Sequence, residues 1–184
     1  TIREIIHDTE TKMKKTVEAT HREFSTIRTG RASSALVEGI KVDYYGAPTP
    51  LKQLAAISVP DARFIVIQPW DKAVLAEVEK SILKSDIGIT PTNDGKAIRL
   101  SMPSLTDERR AELDKILKKI AEDGRVSIRT GRHVAVEHAK KLEKDKLVSE
   151  DDRFKAQDEI QKLTDKYIKE IDTHLAAKEK EIQA

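Results

Sequence analysis

The 184-residue sequence has no cysteine and few aromatic residues: one tryptophan, three tyrosines and three phenylalanines. Without cysteine it can form neither a disulfide framework nor a thiolate metal site. We expect Phe24, Phe64 and Phe154 to lie in the core. Few rings would then remain for the base stacking that single-stranded nucleic-acid binders use. No apolar run approaches the ~20 residues that span a bilayer, so we expect no membrane partner.

Patterns typical of catalysis are missing as well. No glycine-rich phosphate loop is present, and carboxylates are spread so evenly that no acid–base pair stands out. The histidines show no helical metal-ligand spacing with a carboxylate motif. We therefore predict no catalytic residues, no metal and no cofactor. The five histidines are His7, His21, His133, His138 and His174.

Proline divides the chain into regions, because all six prolines lie between Pro48 and Pro103. Apolar residues at helical spacing predict long amphipathic helices over 2–28, about 105–146, and from Ser149 to about Ile182. The sequence predicts an α+β fold: an elongated three-helix bundle from residues 1–30 and 105–184, and an inserted small mixed α/β (β/α/β) domain at 31–104. The chain then crosses between domains twice, which predicts a hinge. The predicted hinge residues are Gly30, Ala32, Ser33, Ser34, Pro103, Ser104 and Leu105.

Within the insert, β-branched residues and partial alternation predict four strands. A helix is expected over 72–85, with Asp71 as its N-cap. Tyr44 and Tyr45 are expected to point to opposite faces of a strand, one of them into the core, while the role of the other stays open. The predicted strands are Leu36–Tyr45, Ala55–Val59, Phe64–Gln68 and Ala97–Met102.

Two windows without any Asp or Glu, residues 24–37 and 124–136, stand out in a chain that is 36% charged. The second carries Arg125, Arg129 and Arg132, whose spacing places them on one helix face. No carboxylate within the window relieves their mutual repulsion. Gly124 and Gly131 each cost a helix interior about 1 kcal/mol, which indicates either close helix approach or a bend.

Net charge is only +2, so an anionic partner has to be argued from the distribution of charge. Arginines on a stiff helical scaffold suit the phosphates and 2′-hydroxyls of folded RNA. An ordinary solvated basic face is the simpler alternative. A helical adaptor that binds a protein partner is a second one, although it gives no reason for the two acid-free windows. A hydrolase ranks third.

Several stretches, taken together, resemble the ribosome recycling factor family. They are Ile27–Ala32, Val42–Gly46, Pro48–Leu51, Ser85–Ile89, Leu105–Arg110 and Leu163–Asp165, and they follow the family's order over nearly the whole chain.

The resemblance implies an L-shaped, two-domain factor that binds the post-termination ribosome across the A and P sites. With elongation factor G and GTP, such factors promote subunit dissociation and hydrolyse nothing themselves. The implied partners are large-subunit rRNA and elongation factor G, and DNA is not among them. The resemblance also implies a monomer that acts in the cytoplasm or in an organelle stroma or matrix. Matching family positions assign rRNA contact to Arg132, Arg129, Arg28 and Arg31, with Arg125 and Arg110 as weaker candidates.

The sequence departs from the family pattern beside its main arginines. Thr130 and Gly131 replace an asparagine and an aliphatic residue, and His133 replaces a third arginine. We expect this to lower affinity for the ribosome more than to abolish function.

Overall fold

The structure is a computed structural model that describes residues 1–183. The chain forms two compact units. The bundle unit comprises Thr1–Thr29 and the chain from Thr106 onward, and the insert unit comprises Gly30–Leu105. The fold is mixed, with long helices in the first unit and small sheets in the second. Within residues 1–183, no helix is both long and apolar enough to cross a membrane.

Three helices make up the bundle unit: α1 (Ile2–Ser25), α4 (Asp107–Lys144) and α5 (Glu150–Gln183). Each begins at a hydroxyl cap that satisfies an otherwise unpaired backbone N–H. Thr1 and Glu4 form a capping box on α1, and the Thr106 hydroxyl accepts a hydrogen bond from the Arg109 N–H at 3.1 Å. Ser149 accepts from the Asp152 N–H at 3.0 Å. These caps explain why the helix starts could be predicted closely.

Buried aliphatic and aromatic side chains from all three helices meet along the bundle axis. Full burial of each large one contributes about 1.5–3 kcal/mol. The buried threonines Thr9 and Thr164 satisfy their hydroxyls within their own helices, by donating to the Ile5 carbonyl at 2.7 Å and to the Ile160 carbonyl at 2.8 Å. The bundle core includes Met13, Val17, Phe24, Leu113, Leu117, Ile128, Ile160, Ile171 and Leu175.

At Gly124, α1 and α5 both pack closely against α4. A Cβ added there would lie 2.6 Å from the Thr20 hydroxyl and 3.0 Å from Cδ1 of Ile171. Gly131 is different, because an added Cβ would meet no atom within 4 Å. The helix α4 runs unbroken through both glycines. Close approach therefore explains Gly124, whereas nothing in the packing requires Gly131.

The insert unit contains a two-stranded sheet, a four-stranded sheet and the helices α2 (Ala35–Glu38) and α3 (Leu75–Lys84). The strands are β1 (Lys41–Tyr44), β2 (Ala47–Pro50), β3 (Ala55–Asp61), β4 (Phe64–Pro69), β5 (Pro91–Asn93) and β6 (Ile98–Ser101). All strand pairs are antiparallel, and the larger sheet has the order β3-β4-β6-β5. Its core includes Ile65, Ile67, Val78, Ile82, Ile98 and Leu100.

The strand predicted over Leu36–Tyr45 is wrong in its first half. The backbone carbonyl of Ser34 instead starts the short helix α2, which places Val37 fully in the core before Gly39 ends the turn. Two proline-bearing strands, β2 and β5, were not predicted. Proline lacks the N–H that a central strand needs, but both strands lie at sheet edges, where it is tolerated.

Other predicted boundaries also shift. The helix α1 ends at Ser25 and not near residue 28, and the Thr26 hydroxyl caps the Glu23 carbonyl at 2.7 Å. Asp71 does accept a hydrogen bond from the Ala73 N–H, at 2.9 Å, but the cap serves a 3-10 turn over Lys72–Val74 that leads into α3. Burial of Phe64 and Phe154 was wrongly predicted, because these side chains are 41% and 50% exposed.

Candidate nucleic-acid interface

The arginine face of α4 consists of Arg125, Arg129 and Arg132, which helical spacing places on one side of the helix. Each guanidinium donates at least one hydrogen bond to a neighbouring side chain. No carboxylate inside the acid-free window 124–136 offsets the mutual repulsion of these arginines, but carboxylates outside the window do. Glu122, two residues before that window, and Asp172 of α5 supply the missing negative charges.

Arg125 is the most constrained member. Its Nε donates to Oδ1 of Asp172 at 2.8 Å, and its Nη1 donates to Oε2 of Glu122 at 3.0 Å. Only 21% of the side chain is exposed. Burial alone would lower the pKa of the Arg125 guanidinium, but the hydrogen bonds to Asp172 and Glu122 raise that pKa overall. Arg125 thus joins α4 to α5 and has little surface left for a ligand.

Arg129 and Arg132 are held more loosely. The Nη1 of Arg129 donates to Oε1 of Glu122 at 3.1 Å, and 47% of its side chain is exposed. The Nη1 of Arg132 donates to Oε1 of Gln161 on α5 at 3.3 Å. A guanidinium carries five N–H donors. Both residues therefore keep donors available for phosphate oxygens while one donor fixes the side chain.

Glu122 lies between two of these arginines. Hydrogen bonds from Arg125 and then Arg129 hold the pKa of the Glu122 carboxyl below its usual range. The carboxylate thus stays charged at neutral pH, and with Asp172 it balances the charges of Arg125 and Arg129. Recognition of an anion here depends on where the guanidinium groups point, because these four residues carry no net charge.

The other predicted arginines lie elsewhere. Arg28 is exposed just beyond α1 in the bundle unit, whereas Arg31 belongs to the insert unit. Arg110 lies in the first turn of α4, 3.5 Å from the Asp107 carboxylate, and its buried Nε has no hydrogen-bond partner within residues 1–183. At ~1.5 Å per residue, Arg110 lies about 30 Å along α4 from Arg132. The structure therefore groups three of the six arginines.

All seven predicted hinge residues fall within the insert unit. Gly30 adopts φ +75°, a left-handed conformation that favours glycine, and a Cβ added there would lie 3.2 Å from Cγ of Leu105. The two chain crossings therefore run side by side. Around them, the Ala32 N–H donates to the Ala62 carbonyl at 2.8 Å, and Arg63 donates to the Ser104 hydroxyl. Ser33, Ser34 and Pro103 complete the segment.

Residues that depart from the family pattern border an open groove between α1 and α4. The groove has a volume of about 670 Å³ and is lined by Met13, Thr130, Gly131 and Val134, among others. His133 is exposed on the adjacent face. The absence of a side chain at Gly131 contributes to this opening, which composition and spacing gave no means to predict.

Two exposed aromatic rings in the insert unit were also not assigned from the sequence. Tyr45 is 77% exposed and adopts φ 52° in the turn between β1 and β2, while its phenol donates to the Asp71 carboxylate at 3.2 Å. Trp70 is 69% exposed. Tyr44 is the half-buried ring of the tyrosine pair, packed against the insert core. No group of three or more His, Asp or Glu side chains within residues 1–183 is arranged to hold a metal ion.

Comparison with known proteins agrees with this architecture. The family model described as "Ribosome recycling factor" matches residues 20–182. The ribosome-recycling factor of Heliobacterium modesticaldum is 59% identical over 181 residues, covering 98% of each chain. That of Oleidesulfovibrio alaskensis is 57% identical over 178 residues, covering 97% of each chain.

Solved structures agree as well. A solution structure of a ribosome recycling factor is 46% identical, with a TM-score of 0.66 over 99% of this chain and 97% of that one. A second neighbour, 42% identical with a TM-score of 0.61 over both full chains, is the T. thermophilus ribosome recycling factor, described with E. coli elongation factor G bound to the E. coli post-termination complex. The chain belongs to the ribosome recycling factor family.

Proposed function

We propose that this chain recycles ribosomes after termination. It binds the post-termination ribosome across the A and P sites and, with elongation factor G and GTP, promotes dissociation of the subunits. It acts in the cytoplasm as a monomer and catalyses no reaction itself. The observation that carries this proposal is full-length identity above 55% to proteins named ribosome-recycling factor.

The direct test is a splitting assay with post-termination ribosomes, elongation factor G and GTP, followed by sedimentation or light scattering. We expect subunits to appear only when the chain and elongation factor G are both present. A reaction without elongation factor G and one with a non-hydrolysable GTP analogue are the controls. Intact ribosomes in the complete reaction would contradict the proposal.

The rRNA contact is assigned first to Arg129 and Arg132. Both keep unused guanidinium donors on the long helix α4, and about half of the Arg129 side chain is exposed. Arg28 and Arg31 are secondary contacts, because both are exposed but neither belongs to α4. Arg125 and Arg110 rank last, because each is largely covered and already paired with a carboxylate.

Salt dependence separates RNA contact from apolar docking onto a protein. Each phosphate contact contributes roughly 0.7–0.9 to the slope of log affinity against log salt concentration. We expect ribosome affinity to fall steeply between about 50 and 200 mM salt. The slope of log affinity against log salt concentration should be smaller for the Arg129/Arg132→Ala double variant. An affinity insensitive to salt would favour the helical adaptor.

The double crossing serves as the hinge in this proposal. Because the chain has no cysteine, two introduced thiols can be labelled selectively. Labels at Asp158 in the bundle unit and Lys96 in the insert unit, both exposed, should change their energy-transfer efficiency when elongation factor G and GTP reach the ribosome-bound chain. A pair within the bundle unit, Asp158 and Lys119, should not change. Constant transfer for the first pair during active splitting would rule out the hinge.

A further inference from the structure

Glu122 poses a question for a surface that binds phosphate. A carboxylate between Arg125 and Arg129 repels the ligand and reduces the attraction that the arginines provide. Its two oxygens are nevertheless both used, with Oε2 accepting from Arg125 at 3.0 Å and Oε1 from Arg129 at 3.1 Å. Because Glu122 accepts hydrogen bonds from both arginines, its role is to hold their side chains in place and not only to supply a negative charge.

The contacts form a chain that begins on a neighbouring helix. Asp172 of α5 anchors Arg125, Arg125 anchors one oxygen of Glu122, and the other oxygen holds Arg129. Arg129 lies seven residues after Glu122, so its side chain runs back toward the start of α4, the direction that helical side chains prefer. A long, half-exposed arginine thereby gains a fixed partner that favours one orientation.

Arg132 is held by a second chain of contacts, in which its direct partner is uncharged. Its Nη1 donates to Oε1 of Gln161, and the Nε2 of Gln161 donates to Oδ1 of Asp165 at 2.9 Å. Arg129 and Arg132 therefore each have a partner that is itself held by a charged residue. Each guanidinium spends one Nη1 on this partner and keeps its remaining donors for a ligand.

We propose that Glu122 is a positioning residue, which holds the Arg129 guanidinium in the orientation that grips a phosphate of the RNA; Gln161 does the same for Arg132. This inference rests on the proposed function. Fixing a flexible side chain before binding removes the entropic cost of ordering it in the complex. The gain in preorganisation outweighs the repulsion from the Glu122 carboxylate.

The test uses Glu122→Asp, which conserves charge but shortens the side chain by one methylene, so that it no longer spans both arginines. Ribosome affinity should fall roughly three- to tenfold, with a thermal midpoint close to that of the control variant below, which bears the same loss of helix propensity. The matched control is Glu137→Asp, at another exposed glutamate of α4 that pairs only with Lys140 among residues 1–183; its affinity should equal that of wild type.

A second background makes the role specific. In an Arg129→Ala chain, Glu122→Asp should produce no further loss of affinity, because the side chain that it positions is gone. Wild-type affinity for Glu122→Asp, or a loss of equal size in both backgrounds, would overturn the positioning role. If Arg129→Ala itself bound ribosomes as tightly as wild type, the rRNA assignment of the proposed function would fail instead.

Discussion

Nε of Arg125 donates to Oδ1 of Asp172 at 2.8 Å, and Nη2 of Arg125 lies 2.7 Å from the same oxygen, so that a charged pair joins α4 to α5. Family likeness places Arg125 among candidate rRNA contacts, yet its geometry is that of a link between helices. The two roles predict different consequences for the same substitution.

Arg125→Ala should lower the free energy of unfolding by about 1 kcal/mol. Hydrogen bonds to charged groups contribute about 1.5–3 kcal/mol, and we discount this because the Asp172 side chain is half exposed. Urea unfolding followed by far-ultraviolet circular dichroism measures the change. Arg132→Ala is the control and should leave stability within about 0.5 kcal/mol of wild type. A large loss of ribosome affinity for Arg125→Ala without loss of stability would refute the structural role.

The two glycines of α4 offer a matched pair of substitutions. Gly131→Ala should stabilise the bundle by about 0.5–1 kcal/mol, because alanine favours helix and its Cβ meets no atom within 4 Å. Gly124→Ala should destabilise it by about 1–3 kcal/mol, because the added carbon overlaps Thr20 and Ile171. Thermal and urea unfolding of both variants would check this. Equal changes in stability for the two variants would show that close helix packing does not explain the glycine at position 124.

A carboxyl pair between α4 and α5 predicts a pH dependence. Burial, and then the adjacent Asp114 carboxylate, raises the pKa of Glu179. The hydrogen bond from Lys118, whose Nζ lies 2.9 Å from Asp114, lowers the pKa of Asp114. Glu179 therefore favours the folded state while protonated, and that contribution is lost as pH rises through its raised pKa.

Glu179→Gln should accordingly raise the urea midpoint at neutral pH, because it removes a charge that is costly to desolvate. The difference from wild type should shrink as pH falls and vanish below the ordinary glutamate pKa of ~4.3. Glu18→Gln, at an exposed position of α1, is the control and should follow wild type throughout. A stability difference for Glu179→Gln that does not change with pH would count against this account.

Local signals in the sequence were sufficient for the long helices. Hydroxyl caps at Thr106 and Ser149 and apolar residues at helical spacing place the helix starts closely. Local signals fail where position in the sheet overrides propensity. The prolines of β2 argue against a strand, and only the knowledge that β2 pairs on one side makes them acceptable.

The sequence was sufficient to align the arginines of the candidate site, but not to predict which side chains they contact. Spacing alone aligns Arg125, Arg129 and Arg132 on one face. The partner of Arg125 is 47 residues away in sequence, and no pattern along one helix reveals a contact with another. Similarly, Phe154 is half exposed beneath the Arg153 guanidinium, 4.2 Å from its ring centroid, although hydrophobicity alone predicts burial.

Arg129 and Arg132 are the groups proposed to grip ribosomal RNA. The decisive measurement is the ribosome affinity of the Arg129/Arg132→Ala double variant, determined by sedimentation at low and moderate salt beside a check that its helices unfold as in wild type. We predict a loss of about 1–3 kcal/mol for each arginine, from the value of charged hydrogen bonds, together with a shallower salt dependence. Wild-type affinity and an unchanged salt slope in a properly folded double variant would contradict the central claim.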